Sequence, residues 1–173
     1  MKKLASTLNL SHEDWLKYRK LGIGGSDAGA ICGLNPYVTA MQVYQDKTSD
    51  ATDDADNEAM RQGRDLEEYV ARRFMEATGK KARRANCIFY NEENTFMLAN
   101  VDRLIAGENA GLECKTASPY MADKWKNDEI PMHYQIQCYH YMAVCDAKAW
   151  YIAVLIYTGG RRDMQRTANM VEK

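Results

Sequence analysis

Residues 101–116, V-D-R-L-I-A-G-E-N-A-G-L-E-C-K-T, decide how the rest of the chain is interpreted. The runs 101–105 and 112–116 are apolar and β-prone, and the glycine- and asparagine-containing segment between them is typical of a turn. The stretch therefore predicts a hairpin of two short strands. Because side chains alternate between the two faces of a strand, Glu113 and Lys115 share a face opposite that of the apolar residues.

This alternation matters because Asp102, on the neighbouring strand, can lie beside Glu113 and Lys115. Two converging carboxylates form a minimal oxygen site for Mg²⁺ or Mn²⁺. A lysine beside them can hold or deprotonate a water, or offset charge on an attacked phosphate. The alternative is an edge hairpin with solvated charges, and the loose D-x(n)-E-x-K spacing does not choose between the two.

The composition limits the classes of protein to be considered. The chain has 173 residues, which fits one domain over 1–157 followed by a short polar tail at 158–173. The formal net charge of −1 gives no overall basic signature, so a nucleic-acid surface would have to be local. The acidic run 50–58 would offset basic clusters elsewhere in the chain.

Two sequence features indicate a cytoplasmic protein with no bound zinc or iron–sulfur cluster. No apolar run approaches the roughly 20 residues that span a bilayer, and the charged N-terminus lacks the long apolar stretch of a secretory signal. The five cysteines have no C-x-x-C spacing, which favours reduced, packed side chains.

A glycine-rich turn near the N-terminus is a second candidate site. Residues 11–20 predict a helix capped by Ser11, and L-G-I-G-G-S-D-A-G-A-I-C-G follows, in which Ser26 or Asp27 would cap a second, short helix. The exposed N–H groups of such a turn suit a phosphate, the Ser26 hydroxyl adds a donor, and Arg19 adds a bidentate one. A capped turn without a ligand is the alternative.

The segment 58–78 is the clearest amphipathic helix, with an apolar stripe at spacings of three and four residues. Glu67 lies on that stripe, whereas Glu68 points away. A carboxylate on an apolar face is costly unless a cation meets it. Glu67 is therefore a candidate for a metal site, and pairing with an arginine is the alternative.

The basic run 80–84 that follows could bind a phosphate backbone or be merely solvated.

A fourth predicted helix begins after Pro131 and is apolar or aromatic almost all round, so it should be buried. Gln135 and Gln137 lie within it and need hydrogen-bond partners. A DNA phosphate, a water or backbone carbonyls could supply them. The apolar run 147–157 then predicts a strand in the sheet interior.

These pieces together resemble the YqaJ-type viral recombinase family of lambda-exonuclease-like nucleases. The resemblance covers about residues 13–157 and rests on five motifs in order. They are W-L-K-Y-R-K-L-G-I-G-G-S-D from Trp15, G-R-D-L-E from Gly63, V-D at Val101, L-E-C-K-T from Leu112, and Y-Q-I-Q-C-Y from Tyr134.

The resemblance implies an α/β fold of the restriction-endonuclease-like, PD-(D/E)xK type, with a mixed central sheet flanked by helices. It implies phosphodiester cleavage with Mg²⁺ or Mn²⁺, using two ions. In such sites Asp102, Glu113 and the backbone carbonyl of Cys114 hold the metals. Lys115 orients or deprotonates the attacking water.

The remaining family positions fall on residues already noted. The helix glutamate is Glu67, and the glutamine beside the site is Gln135, with Gln137 as second choice and as a DNA contact. Arg19 and Ser26 match the residues that grip a 5′-terminal phosphate.

The function implied is a Mg²⁺-dependent 5′→3′ exonuclease on linear double-stranded DNA, serving phage or prophage recombination in the bacterial cytoplasm. The alternatives are an endonuclease on the same core, or a catalytically poor remnant that binds DNA or a single-strand annealing protein.

Two departures from the family pattern stand out. Arg103 replaces the usual glycine after Asp102, which could shift the strand turn or add a phosphate contact. Relatives also commonly continue with further helices after the last strand, whereas a short polar tail follows it here. The resemblance implies a homo-oligomer, which is a trimer in relatives, and the alternative is a truncated copy that lacks this assembly.

Overall fold

The computed structural model describes residues 1–50, 57–156 and 166–172. Most of the acidic run 50–58, Tyr157 at the end of the predicted strand, residues 158–165 and Lys173 lie outside these ranges. The helices are α1 (His12–Lys20), α2 (Gly25–Ile31), α3 (Ala40–Thr48), α4 (Glu58–Thr78) and α5 (Met132–Cys145), with a kinked 3₁₀ segment at Pro119–Asp128. The strands are β1 (Lys2–Ser6), β2 (Ala82–Arg84), β3 (Cys87–Tyr90), β4 (Leu98–Asn100), β5 (Arg103–Ile105), β6 (Ala110–Ala117), β7 (Ala149–Ile156) and β8 (Arg166–Glu172).

Two sheets organise the described strands. The larger has the order β2-β5-β6-β7-β8, in which β6 and β7 run parallel and the other pairs are antiparallel. The smaller, β1-β3-β4, is antiparallel throughout. The mixed central sheet predicted from the sequence is therefore confirmed.

Helices cover both faces of the larger sheet. On one face Val70 and Phe74 of α4 form a buried cluster with Leu112 of β6 and Leu155 of β7. On the other face the buried residues of α5 pack around Trp150 of β7. Burying β6 and β7 from both sides removes their apolar surface from water, which is the main stabilising contribution in such a layered core. This layered α/β arrangement agrees with the fold that the resemblance implies.

Local signals explain the helix ends. Ser11 caps α1, and its hydroxyl accepts the Asp14 N–H at 3.1 Å. The helix α4 has the predicted bounds, because Asn57 caps its start and Gly79 ends it with φ of 71°, a backbone conformation that favours glycine. Among the described helices, none is long and apolar enough to cross a membrane.

Several local predictions are corrected. Part of the expected polar tail forms β8, which pairs with β7 along its length. The basic run contributes the edge strand β2, and residues Pro119–Asp128 form the kinked 3₁₀ segment. Gly24 is the N-cap of α2, and the Asp27 carboxylate instead accepts the Gly24 N–H at 2.9 Å.

Candidate active site

Strand pairing brings Asp102 to the E-x-K segment. Arg103 of β5 pairs with Leu112 of β6, and Asp102 lies just before β5. The Cys114 N–H donates to the Asp102 Oδ2 at 2.8 Å, which fixes this carboxylate against the middle of β6. The predicted proximity of Asp102 to the hairpin acid and lysine is confirmed.

Glu113 is a buried carboxylate with an unequal pair of oxygens. Its Oε1 accepts from the Lys115 ammonium at 2.6 Å and from the Gln137 amide at 2.7 Å. Its Oε2 is buried and, within the described residues, has no hydrogen-bond partner. A buried oxygen without a partner is costly, and a cation would satisfy it.

The charges of the site reinforce this point. Burial raises the pKa of Asp102 well above its usual range, and the charges of Glu113 and then Glu67 raise it further. Burial would lower the pKa of Lys115, but the charges of Glu113 and Asp102 outweigh it, so the net shift is upward. The raised pKa of Asp102 reflects repulsion between its carboxylate and those of Glu113 and Glu67, and a bound cation would relieve that repulsion.

Lys115 has a second contact besides Glu113. Its Nζ lies 4.8 Å from the centre of the Tyr134 ring, which stacks on Trp125. A cation near an aromatic face is stabilised by the ring quadrupole. Tyr134 therefore helps to hold the ammonium next to Glu113.

The amide at the site is Gln137, and the first choice from the sequence, Gln135, is corrected. The Gln135 side chain donates to the Ile130 carbonyl at 2.6 Å and, among the described residues, makes no hydrogen bond to Asp102 or Glu113. Gln137 donates to Glu113 and, at 2.9 Å, to the Tyr141 hydroxyl. The two amides are two residues apart on α5, so only one can face β6.

Glu67 is met by a cation, as its position on the apolar stripe required. Arg103 donates to Glu67 through Nη1, and its Nη2 lies 3.0 Å from the Glu68 carboxylate. Glu68 is largely exposed, as expected from its position off the apolar stripe, although it still reaches the outer nitrogen of the same guanidinium. Glu67 is close enough to Asp102 to contribute to the raised pKa of that group.

The two predicted phosphate residues share a cleft. Arg19 and Ser26 line a cavity of about 150 Å³, walled by residues of α1, α3, β4 and α5. The Arg19 guanidinium lies 5.0 Å from the Trp15 ring centre and 3.6 Å from the Asp27 carboxylate. Tyr141 also lines the cleft, and through Gln137 it connects this wall to Glu113.

The sequence reasoning missed Lys47 as a residue of this cleft. Its Nζ lies 2.9 Å from the Asp27 carboxylate and donates to the Arg19 carbonyl, and its side chain is 10 % exposed. Lys47 sits in the last turn of α3, outside any motif. The signal available was its four-residue spacing from Val43, the buried residue of that helix.

The family assignment follows from comparison with known proteins. The profile of the YqaJ-like viral recombinase domain matches residues 14–148, which contain all five site motifs. The chain belongs to the YqaJ-like viral recombinase family. It is 43 % identical over 162 residues to the Bacillus subtilis (strain 168) uncharacterized protein YqaJ, and it spans about half (50 %) of that relative's length.

Solved structures share the fold of this YqaJ-like chain. The alkaline exonuclease LHK-Exo of Laribacter hongkongensis, in complex with dAMP, superposes with a TM-score of 0.76 at 17 % identity, over 93 % of this chain and 82 % of that one. A phage related exonuclease of Haemophilus somnus 129PT gives a TM-score of 0.69 at 13 % identity, over 92 % and 87 % of the chains. At these identities the likeness concerns the fold.

The donor set of this YqaJ-like domain suits a hard cation. Within the described residues, no three His, Cys, Asp or Glu side chains cluster as a complete metal site. Backbone carbonyl oxygens or water molecules would therefore complete the coordination beside Asp102 and Glu113, as Mg²⁺ prefers. That the Cys114 carbonyl is a metal ligand stays a prediction. Burial raises the pKa of the Cys114 thiol, which favours the neutral, protonated sulfur.

The basic run is partly neutralised in the YqaJ-like fold. Lys80 pairs with Glu108, and Arg84 pairs with Glu68. These contacts reduce the positive charge that the run can offer to a phosphate backbone.

Proposed function

We propose that this domain is a Mg²⁺-dependent exonuclease that degrades linear double-stranded DNA in the 5′→3′ direction during phage or prophage recombination. The observation that carries the proposal is the buried Oε2 of Glu113, which has no hydrogen-bond partner in the described part of the chain and lies beside Asp102 and Lys115. Membership of the viral recombinase family supports a nuclease, and the exonuclease names of the two similar folds agree with it.

The residues of the site have complementary tasks in this proposal. Asp102 and Glu113 would hold the cation, with two ions expected, and Mn²⁺ is the alternative metal. A bound divalent cation supplies Lewis-acid activation of water and charge neutralisation at the phosphate. Lys115 keeps an ammonium where it can orient the attacking water and stabilise the negative charge that develops. Gln137 holds Glu113 in place.

The cleft of Arg19 and Ser26 supports action at an end. A 5′-terminal phosphate bound there would place the chain end at a fixed distance from Glu113, since Tyr141 and Gln137 connect the two sites. Holding reacting groups in register converts binding energy into rate. An enzyme that cuts internally has no use for a terminal-phosphate site.

The test is digestion of a linear duplex that carries a 5′-phosphate on one strand, with Mg²⁺ or with chelator. We expect progressive loss of the phosphorylated strand, abolished by chelator and by Lys115→Ala. The matched control is Lys126→Ala, a lysine that is 59 % exposed and pairs with Asp123. Retained DNA binding without Mg²⁺-dependent digestion would instead support a binding remnant.

Closed circular DNA separates the exonuclease from an endonuclease on the same core. We expect the circle to resist digestion under conditions in which the linear duplex disappears.

A homo-oligomer and a single-strand annealing partner belong to the same proposal. Light scattering of the protein, alone and with duplex, measures the oligomeric state.

A further inference from the structure

Arg103 is a buried cation at the residue after Asp102. Its side chain is 4 % exposed. The guanidinium donates through Nη1 to Glu67 and, at 2.8 Å, to the Asp102 carbonyl, while Nη2 lies 3.0 Å from the Glu68 carboxylate. One side chain therefore connects α4 to the backbone of the Asp102 position.

Burying a guanidinium costs free energy unless its donors are paired, and here they meet two carboxylates and a carbonyl. Replacing such a pair by apolar residues is often neutral, so stability alone is a weak reason for it. The positioning of Glu67 is a better explanation for the buried arginine. Glu67 would be repelled by Asp102, and Arg103 supplies the positive charge that keeps Glu67 near that carboxylate.

A direct phosphate contact explains Arg103 less well. A guanidinium that grips a phosphate must present free donors to solvent or ligand. The Nη donors of Arg103 are directed at protein acceptors, and the side chain is almost inaccessible.

We propose that Arg103 is a positioning residue, which holds Glu67 in the outer part of the Asp102–Glu113 cation site. The inference rests on the proposed function, because it assigns a task within that site. Arg103 engages Oε1 of Glu67 and the Asp102 carbonyl together, so the helix carboxylate follows the strand that carries Asp102. Partners of this kind orient the groups that bind a metal.

The experiment is calorimetric titration of the full chain with Mn²⁺ in the absence of DNA. Arg103→Met and Glu67→Gln should each weaken Mn²⁺ binding by about tenfold, within the range found for outer-shell partners. The double variant should be no weaker than either single one, because both changes remove the same interaction. Arg103→Lys should retain part of the affinity, since an ammonium can pair with Glu67 but lacks the planar guanidinium geometry that also fixes the Asp102 carbonyl.

Glu68→Gln is the matched control, because it removes the other, 64 % exposed carboxylate from the same guanidinium. We expect it to leave Mn²⁺ affinity within about twofold of wild type, as for an exposed ion pair. If Arg103→Met does not fold, as judged by its melting curve, Arg103→Lys alone and combined with Glu67→Gln gives the same comparison.

The outcomes separate the two proposals. No Mn²⁺ binding and no digestion by the wild type would remove the proposed function. Wild-type binding with unchanged affinity in Arg103→Met or Arg103→Lys, or with additive losses in the double variant, would overturn the positioning role. Weaker DNA binding in chelator by either Arg103 variant, with unchanged Mn²⁺ affinity, would overturn it in favour of a phosphate contact.

Discussion

At the scale of single residues, Asp102 carries the clearest electrostatic signature of the site. Burial and the charges of Glu113 and Glu67 raise its pKa in the folded protein above the unfolded value of about 3.9. The folded state then binds the proton more tightly than the unfolded state. Without metal, this group's contribution to stability is greatest below the unfolded pKa and declines as the pH rises through the folded pKa.

Asp102→Asn should remove that decline. In chelator at pH 8 we expect the variant to melt about 2–4 °C above the wild type, the shift that roughly 1 kcal/mol produces in a chain of this size. The difference should shrink towards pH 4, and the stabilisation by Mg²⁺ should disappear. Melting curves from pH 4 to 8, recorded in chelator and again with Mg²⁺, measure both effects. Melting temperatures of the two proteins that change in parallel with pH would contradict the prediction.

Gln137 and Gln135 offer a matched pair on one helix. Gln137→Ala removes the donor that holds Glu113, and we expect digestion of a 5′-phosphorylated duplex to slow by about 10- to 100-fold. Gln135→Ala should change the rate by less than about threefold, because its amide contacts only the Ile130 carbonyl among the described groups. Single-turnover rates test this, and equal losses would contradict the assignment.

At the scale of elements, the packing of α2 against α5 forms one wall of the cleft. A Cβ built at Gly25 would lie 2.4 Å from the Tyr141 ring, closer than any real contact allows. Glycine is needed there because the helix backbone rests directly on an aromatic ring. The same ring carries the hydroxyl that contacts Gln137.

Gly25→Ala should therefore destabilise the protein by about 1–3 kcal/mol, as overpacking does. Gly63→Ala is the control, since a Cβ there would meet Thr116 at an ordinary 3.8 Å and alanine favours α4. We expect that change to be neutral or stabilising by up to about 1 kcal/mol. Urea unfolding midpoints with equal slopes provide the measurement, and similar midpoints for the two variants would count against this account of the α2–α5 contact.

At the scale of the whole molecule, two sites must act on one DNA strand. Arg19→Met removes a charged donor from the cleft but leaves the carboxylates of the active site in place. We expect the preference for a 5′-phosphate over a 5′-hydroxyl end to fall by roughly ten- to a hundredfold, the contribution of hydrogen bonds to a charged group. The rate on the 5′-hydroxyl duplex should change little.

Lys17→Met is the control for Arg19→Met, because Lys17 is an exposed residue of the same helix. Its ammonium pairs with Glu13 and Asp14. Competition digestion of phosphorylated and unphosphorylated duplexes measures the preference. A uniform loss on both ends in Arg19→Met would contradict a role in recognising the terminal phosphate.

The features that the sequence determined by itself depend on neighbours a few residues apart. The alternation along residues 112–116 put Glu113 and Lys115 on one face, and the caps at Asn57 and Gly79 set the ends of α4. Such signals are local, because strand alternation and helix capping act over at most four residues.

Tertiary structure alone decided the partners of the polar groups. Gln137 reaches Glu113 across 24 residues, Lys47 reaches Arg19 across 28, and Arg103 reaches Glu67 across 36. No spacing rule chooses Gln137 over Gln135, names Asp27 as the partner of Lys47, or places β8 beside β7. These contacts depend on how the elements pack, and burial then requires each buried polar group to find a partner from elsewhere in the chain.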